Sequence, residues 1–263
     1  MLAQMAGTSP CITLLSDFGT EDAYVAAMKG MLIRYCPGAR LVDITHAIAP
    51  RDILAGSFAL ERAIDSFPAG TVHLAVVDPG VGGTRRILLA AISQQLVVCP
   101  DNGLITWAVR RHPPCACHEL TWRPARFSGT FHGRDIMAPA AAMLARDGGE
   151  AIAALAQGSA DPVLLDVTPA SRRSRTTRII HIDHFGNATT NMPESVLGGL
   201  RPAGIIVGGR KIGRVRHTYG DVPSGRPLAL IGGAGLLEIA VRDGHAGREL
   251  SLHIGDGVEI VCN

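Results

Sequence analysis

A chain of 263 residues, at roughly 100 to 200 residues per domain, holds one large domain or two smaller ones, which excludes a peptide hormone, a disulfide miniprotein or a disordered tail. Hydrophobic residues make up 47% and charged residues only 18%, so the molecule is compact and buries much of itself. The formal charge is +2, and of the 25 basic side chains only Lys29 and Lys211 are lysines, the arginines being scattered rather than run together. That pattern carries no nucleic-acid stripe.

No stretch approaches the roughly 18 apolar residues of a membrane span, and the first ten positions lack a secretory pattern, so a cytoplasmic location without a membrane partner is expected. The cysteines Cys11, Cys36, Cys99, Cys115, Cys117 and Cys262 show neither a Cys-x-x-Cys pair nor zinc-finger spacing, so structural zinc and a disulfide framework are not expected. The 31 glycines point to many tight turns and close backbone approaches.

In chain order, residues 11–15, 40–44, 71–77, 87–92 and 95–99 are short apolar runs that predict strands. Between them, the segments from Ala23 and from Asp52 place apolar side chains at three- and four-residue spacing and predict helices with one buried face. The alanine-rich stretches from Ile136 and from Glu150 predict closing helices. Residues 1–165 therefore read as an α/β sandwich with a largely parallel sheet. Residues 166–177, rich in proline, serine and arginine, read as a linker, and the arginines 172, 173, 175 and 178 as its solvated basic face. Residues 178–263 carry short β-type runs broken by glycines, RIIHI, GIIV, KIGRVRHTY, PLALI, LLEIAV, LSLHI and VEIVC, and predict a small β-barrel.

In an open α/β sheet, ligands gather at the carboxyl ends of the strands. Three of those ends are polar: Ser16-Asp17-Phe18-Gly19, Asp43-Ile44-Thr45-His46, and the segment from Asp78 to Arg86. Each has a plainer reading as turn chemistry, with Asp17 or Asp52 capping a helix and Asp78-Pro79-Gly80 forming a turn. The glycines after Asp78 invite comparison with a phosphate loop, but the Walker lysine and the dinucleotide fingerprint are missing. What the segment offers is a carboxylate followed seven residues later by a guanidinium, so an Asp78–Arg85 pair is expected. Farther on, Asp135 is expected to cap the helix beginning near Ile136, and His132 to sit in a loop where it can meet a ligand. The segment His181 to Asn187 joins an acid, a ring and an amide in one turn, a set that suits a purine nucleoside.

Taken together, Asp17-Phe18-Gly19, Asp43-Ile44-Thr45-His46, VDPGVGGTRR at 77–86, Pro100-Asp101-Asn102-Gly103, FHGRD at 131–135, FGN at 185–187 and LLEIAV at 236–241 resemble the S-adenosyl-L-methionine hydroxide adenosyltransferases, hydrolases related to fluorinase and chlorinase enzymes. The resemblance covers nearly the whole chain. It implies hydrolysis of S-adenosylmethionine to adenosine and methionine, with that molecule as substrate and no further cofactor. It also implies an α/β domain followed by a small β-barrel, in a homotrimer with sites between subunits.

Carried over, the catalytic set falls on Asp78, Arg85 and His132. Substrate contacts fall on Asp17, Phe131, Gly133, Asp183, Phe185, Asn187, Gly233, Glu238 and Ala246, and no metal is implied. Two departures stand out: Gly232-Gly233-Ala234-Gly235 replaces a serine-bearing segment, and the stretch around Asp183 is one residue shorter than in the halogenating relatives. Those relatives lack the equivalent of Asp78, so its presence favours water over a halide as nucleophile. Three other readings remain open on the residues: a non-enzymatic nucleoside-binding module, a halide-dependent adenosyltransferase, and a divalent-metal hydrolase built on Asp17, Asp43, His46 and Asp78.

Overall fold

The computed structural model describes residues 9–167, 175–200 and 202–262, in two compact units, Met1–Leu165 and Asp166–Asn263. The first opens with β1 (Cys11–Ser16), α1 (Tyr24–Tyr35), β2 (Arg40–Thr45), α2 (Ile53–Ser66) and β3 (Val72–Val76). It continues through β4 (Ile87–Ile92), β5 (Gln95–Pro100), α3 (Thr106–Arg111) and β6 (Ala116–Leu120). A turn of the wide π type (Gly133–Met137), α4 (Ala138–Asp147), a 3-10 turn (Gly148–Ala151), α5 (Ile152–Leu155) and β7 (Ala156–Gln157) close it.

The strands form one sheet in the order β2-β1-β3-β5-β4-β6-β7, parallel from β2 to β5 and antiparallel from there to β7. Alternate side chains explain why both faces are covered. Ile12, Leu14, Leu74 and Val76 pack with Met28 and Leu32 of α1 and the alanines of α4. Leu15, Ala75 and Val77 pack on the other face with Leu60 and Ile64 of α2 and Ala108 of α3. Because β1, β2, β3 and β5 run parallel, Asp17, His46, Asp78 and Asp101, each just past its strand, emerge at the same sheet edge.

The second unit holds β8 (Thr176–Ile182), β9 (Ala188–Pro193), α6 (Glu194–Leu200), β10 (Pro202–Val207), β11 (Arg210–Gly213) and β12 (Val215–Arg216). A 3-10 turn (Tyr219–Asp221), β13 (Pro227–Ile231), β14 (Leu236–Val241), α7 (Ala246–Glu249) and β15 (Gly257–Cys262) follow. Eight strands in the order β11-β10-β15-β8-β9-β14-β13-β12 curl into a nearly closed barrel. Its interior is filled by Ile179, Ala188, Ile205, Leu237, Ile239, Val258 and Ile260.

Several sequence expectations shift. The run at 250–254 is turn rather than strand, because Leu252 donates its N–H to the carbonyl of Gly247 in a local loop. The helix expected from Glu150 breaks into two single turns before β7. Thr176 and Thr177 open β8 instead of belonging to a linker; of that segment, 168–174 lie outside the described residues, including arginines 172 and 173.

Between α2 and α3, Glu61 is buried with Arg111 Nε 2.9 Å from its carboxylate. Burial outweighs that partner and pushes its carboxyl pKa up to about 7. The folded chain thus holds a proton that the unfolded chain releases near the ordinary value of 4.5, so stability is lost as pH rises through the window from 4.5 to 7. Glu61→Gln should flatten the melting temperature across that window. At pH 8 the variant should match or exceed the parent by on the order of 2 kcal/mol relative to pH 5, as read by thermal melts at both pH values.

Candidate active site

The Asp78 carboxylate and the Arg85 guanidinium meet because the chain reverses between them. Val81 donates its N–H to the Asp78 carbonyl at 3.2 Å, and Gly83 to that of Gly80 at 3.1 Å. Arg85 Nε donates to Asp78 Oδ1 at 2.9 Å and to Oδ2 at 3.1 Å, while Nη2 also donates to Oδ2. Both side chains are nearly enclosed, at 5% and 11% exposure. Nη2 reaches on to His132 Nδ1 at 3.1 Å, so one guanidinium ties the acid to the imidazole.

His132 is also buried, and burial first, then the Arg85 charge, hold its pKa below the ordinary histidine value. The ring is therefore neutral at neutral pH, accepts at Nδ1 and carries its proton on Nε2. The loop placement expected from the sequence does not hold: His132 stands at the entry to the π turn that leads into α4. Gly133 has a structural reason to be glycine, since a Cβ there would stand 3.2 Å from Val76 Cγ1 and 3.4 Å from Met28 Sδ. Asp135 does not cap a helix. It accepts the Ser128 N–H at 2.7 Å and a two-pronged contact from Arg134, which hold its pKa low.

At the same edge, Asp17 Oδ2 accepts the Arg51 N–H at 2.8 Å, so it braces the following loop rather than a helix; Asp52 takes the capping role through Ala55. Phe131 packs with Phe18 and Tyr24 as a trio of rings 5.5–5.9 Å apart, and the Arg134 guanidinium lies 4.7 Å over Phe131. A polar chain supports the base of Asp17. Ser16 Oγ meets His46 Nδ1 at 2.7 Å, His46 Nε2 lies 3.2 Å from Asp43 Oδ1, and Lys29 donates to Asp43 Oδ2 at 2.7 Å.

The quartet needed for a metal hydrolase is not assembled. Among the described residues, Asp17, Asp43 and Asp78 each bind a different partner. Among the described residues, the one triad with ligand atoms within 4.8 Å of one another is Glu61, Asp65 and His112, which the Arg111 guanidinium already enters.

In the second unit, the turn joining β8 to β9 is pinned by Asp183, which accepts from the Asn187 backbone at 2.8 Å and from its side-chain amide at 3.1 Å. Phe185 projects from this turn, 72% exposed. Gly186, at φ +89°, must be glycine because a Cβ would overlap the His245 ring. His184, Phe185, His245 and Arg248 line an open cleft of about 560 Å³, beside which Ala246 is fully buried at the start of α7. Glu238, on β14, accepts from the Tyr219 hydroxyl at 2.7 Å. Gly233 is exposed in the turn closed by Gly235 N–H on the Gly232 carbonyl.

Tyr24 and Tyr219 went unnoticed in the sequence. Tyr24 opens a helix, and Tyr219 is brought to Glu238 by the pairing of β12, β13 and β14, so no local spacing marks them.

Residues 12–155 match the family model of the SAM hydroxide adenosyltransferase N-terminal domain, and residues 177–259 that of its C-terminal domain. This chain belongs to the SAM hydroxide adenosyltransferase family. Among its relatives, a protein of Thermus thermophilus named (R)-S-adenosyl-L-methionine hydrolase is 40% identical, over 95% of this chain and 99% of that one. A fluorinase of an Actinoplanes species is 28% identical over 76% of each. Among solved structures, an uncharacterized conserved protein from Thermotoga maritima superposes with a TM-score of 0.87 at 33% identity, covering 95% of this chain and 99% of that one.

The β8–β9 turn of this family member adds a steric condition at Gly186 to the hydrogen bonds that Asp183 makes. Gly186→Ala should destabilise the second unit by about 2–4 kcal/mol. Adding His245→Ala should recover the part due to overlap but not the part due to positive φ. Denaturant unfolding of the two single variants and the double variant separates the two contributions.

Proposed function

We propose that this chain is a hydrolase that converts S-adenosyl-L-methionine and water into adenosine and L-methionine. The observation that supports it most is the enclosed Asp78–Arg85–His132 set at the sheet edge that also carries Asp17. The water oxygen bonds to the ribose C5′, the C5′–S bond breaks, and its electron pair leaves on sulfur as the neutral thioether of methionine. No acid is needed for that leaving group. The demands are an aimed water and a place for its proton.

Asp78 accepts a hydrogen bond from the water and takes its proton as the C5′–O bond forms, and Arg85, itself held by neutral His132, fixes the carboxylate's direction. Attack by an oxygen nucleophile on a sulfonium consumes charge, so a site that strips away bulk water favours the transition state. Asp17 takes the ribose hydroxyls, with Phe131 and Gly133 beside it. Phe185, Asn187, Asp183 and the backbone at Ala246 receive the adenine, and Gly233 and Glu238 lie toward methionine. The (R)-sulfonium form, for which relatives are named, is the proposed epimer. The enzyme is proposed to act as a cytoplasmic homotrimer with sites completed between subunits and no added cofactor.

Chromatography of purified protein with substrate tests the reading, since a binding module yields no adenosine above background and a halide-dependent enzyme yields halonucleoside only with halide. Asp78→Ala should lower turnover at least about a hundredfold while nucleoside binding, followed by calorimetry, stays within a fewfold. Unchanged turnover would reject the mechanism. Because protonation of His132 removes the acceptor for Arg85, kcat should fall on the acid side with a midpoint below the ordinary histidine value of 6.5. A pH–rate profile with an acid midpoint above that value would contradict this arrangement.

A further inference from the structure

Away from the proposed site, Cys115 immediately precedes β6 and Cys117 is the second residue of that strand, with Ala116 between them. In extended chain a rise of about 3.3 Å per residue puts the Cα atoms of residues two apart about 6.6 Å from each other. That separation falls inside the roughly 4.4–6.8 Å that a disulfide spans. The two sulfurs are already in contact, Sγ to Sγ 3.4 Å. Cys115 is partly exposed, whereas Cys117 is buried at 5%. An oxidant thus meets one thiol at the surface with a second directly behind it. Across the ladder, Cys117 faces the small side chain of Ala90.

The other four cysteines lack this arrangement. Cys36 and Cys99 are buried, where burial is the first cause raising each thiol above its ordinary value. Such thiols behave as small apolar side chains. Cys11 and Cys262 are partly exposed, and among the described residues neither has a second sulfur recorded in contact.

We propose that Cys115 and Cys117 form a reversible two-electron redox site that a hydroperoxide converts to an intrastrand disulfide. One thiolate attacks the peroxide, the O–O bond breaks, and a sulfenic acid forms with release of hydroxide, which takes up a proton as water. The second thiol then attacks the sulfenic sulfur, the S–S bond forms and a second water leaves. Two thiols and one hydrogen peroxide give one disulfide and two waters. The contact keeps the second thiol within reach of the first throughout, since either sulfur can donate to the other across it.

The test treats the reduced full chain with one equivalent of hydrogen peroxide, quenches with an alkylating reagent, and maps the thiols by mass spectrometry. Expected is loss of both alkylation sites at 115 and 117, in a peptide two hydrogens lighter and restored by dithiothreitol. This should proceed about tenfold faster than modification of Cys11 or Cys262. Cys115→Ser should halt at a sulfenic acid on Cys117 that a cyclic dione traps. Cys117→Ser, checked for folding by circular dichroism, should halt likewise at Cys115. Oxidation of Cys11 or Cys262 at the same rate, a bridge between chains instead of within one, or a pair that stays fully alkylated would each overturn the proposal. A thiol pair protected only when a soft metal such as Cu(I) is added would overturn it too, in favour of metal binding.

Discussion

An aspartate and an arginine that are both almost sealed from solvent must repay the loss of their hydration, a penalty of several kcal/mol per ion. The Asp78–Arg85 pair meets that demand through geometry: two donor nitrogens on two carboxylate oxygens, and a further contact from the same guanidinium to the imidazole of His132. Such a pair is weak evidence for stability, because a well-matched apolar pair of equal volume costs less. It is better evidence for placement. Each of the three groups fixes the next, so the direction of the Asp78 carboxylate is settled before any substrate arrives.

Placement of this kind needs a rigid base, and the sheet supplies it. Parallel pairing of β2, β1, β3 and β5 brings four polar strand ends to one edge, while the apolar residues before them are locked between helices on both faces. The π turn at Gly133 is part of the same construction. Gly133 lets that turn lie close against Val76 and Met28, where a Cβ would stand only 3.2 Å from Val76 Cγ1. The chain from Lys29 through Asp43 and His46 to Ser16 does the corresponding work under Asp17.

Much of this was legible in the sequence because it is local or periodic. The five apolar runs of the first half became β1 to β5, and the six residues between Asp78 and Arg85 were few enough for a turn to close. What failed was also local but depended on distant partners. Asp135 carries the signature of a helix cap, yet the chain folds so that Ser128 and Arg134 claim it first. The run at 250–254 has strand composition, yet it follows α7 directly and a loop bond to the Gly247 carbonyl takes the Leu252 amide. Tyr219 and Glu238 meet only because β13 and β14 form an antiparallel pair, a fact that no spacing encodes.

The division between what the first unit and the second unit carry follows from their architecture. An open parallel sheet concentrates charged residues at one edge, where helix caps and turns can orient them, which suits the handling of a nucleophile and its proton. A small barrel fills its interior with apolar side chains and displays its turns, which suits stacking and edge contacts with a flat base. Phe185 is displayed in that way, exposed at the tip of a turn that hydrogen bonds between Asp183 and Asn187 hold together. Under the proposed function that ring is free to stack on the adenine, while Asp78, enclosed at the sheet edge of the first unit, is the acid proposed to receive the proton of the attacking water.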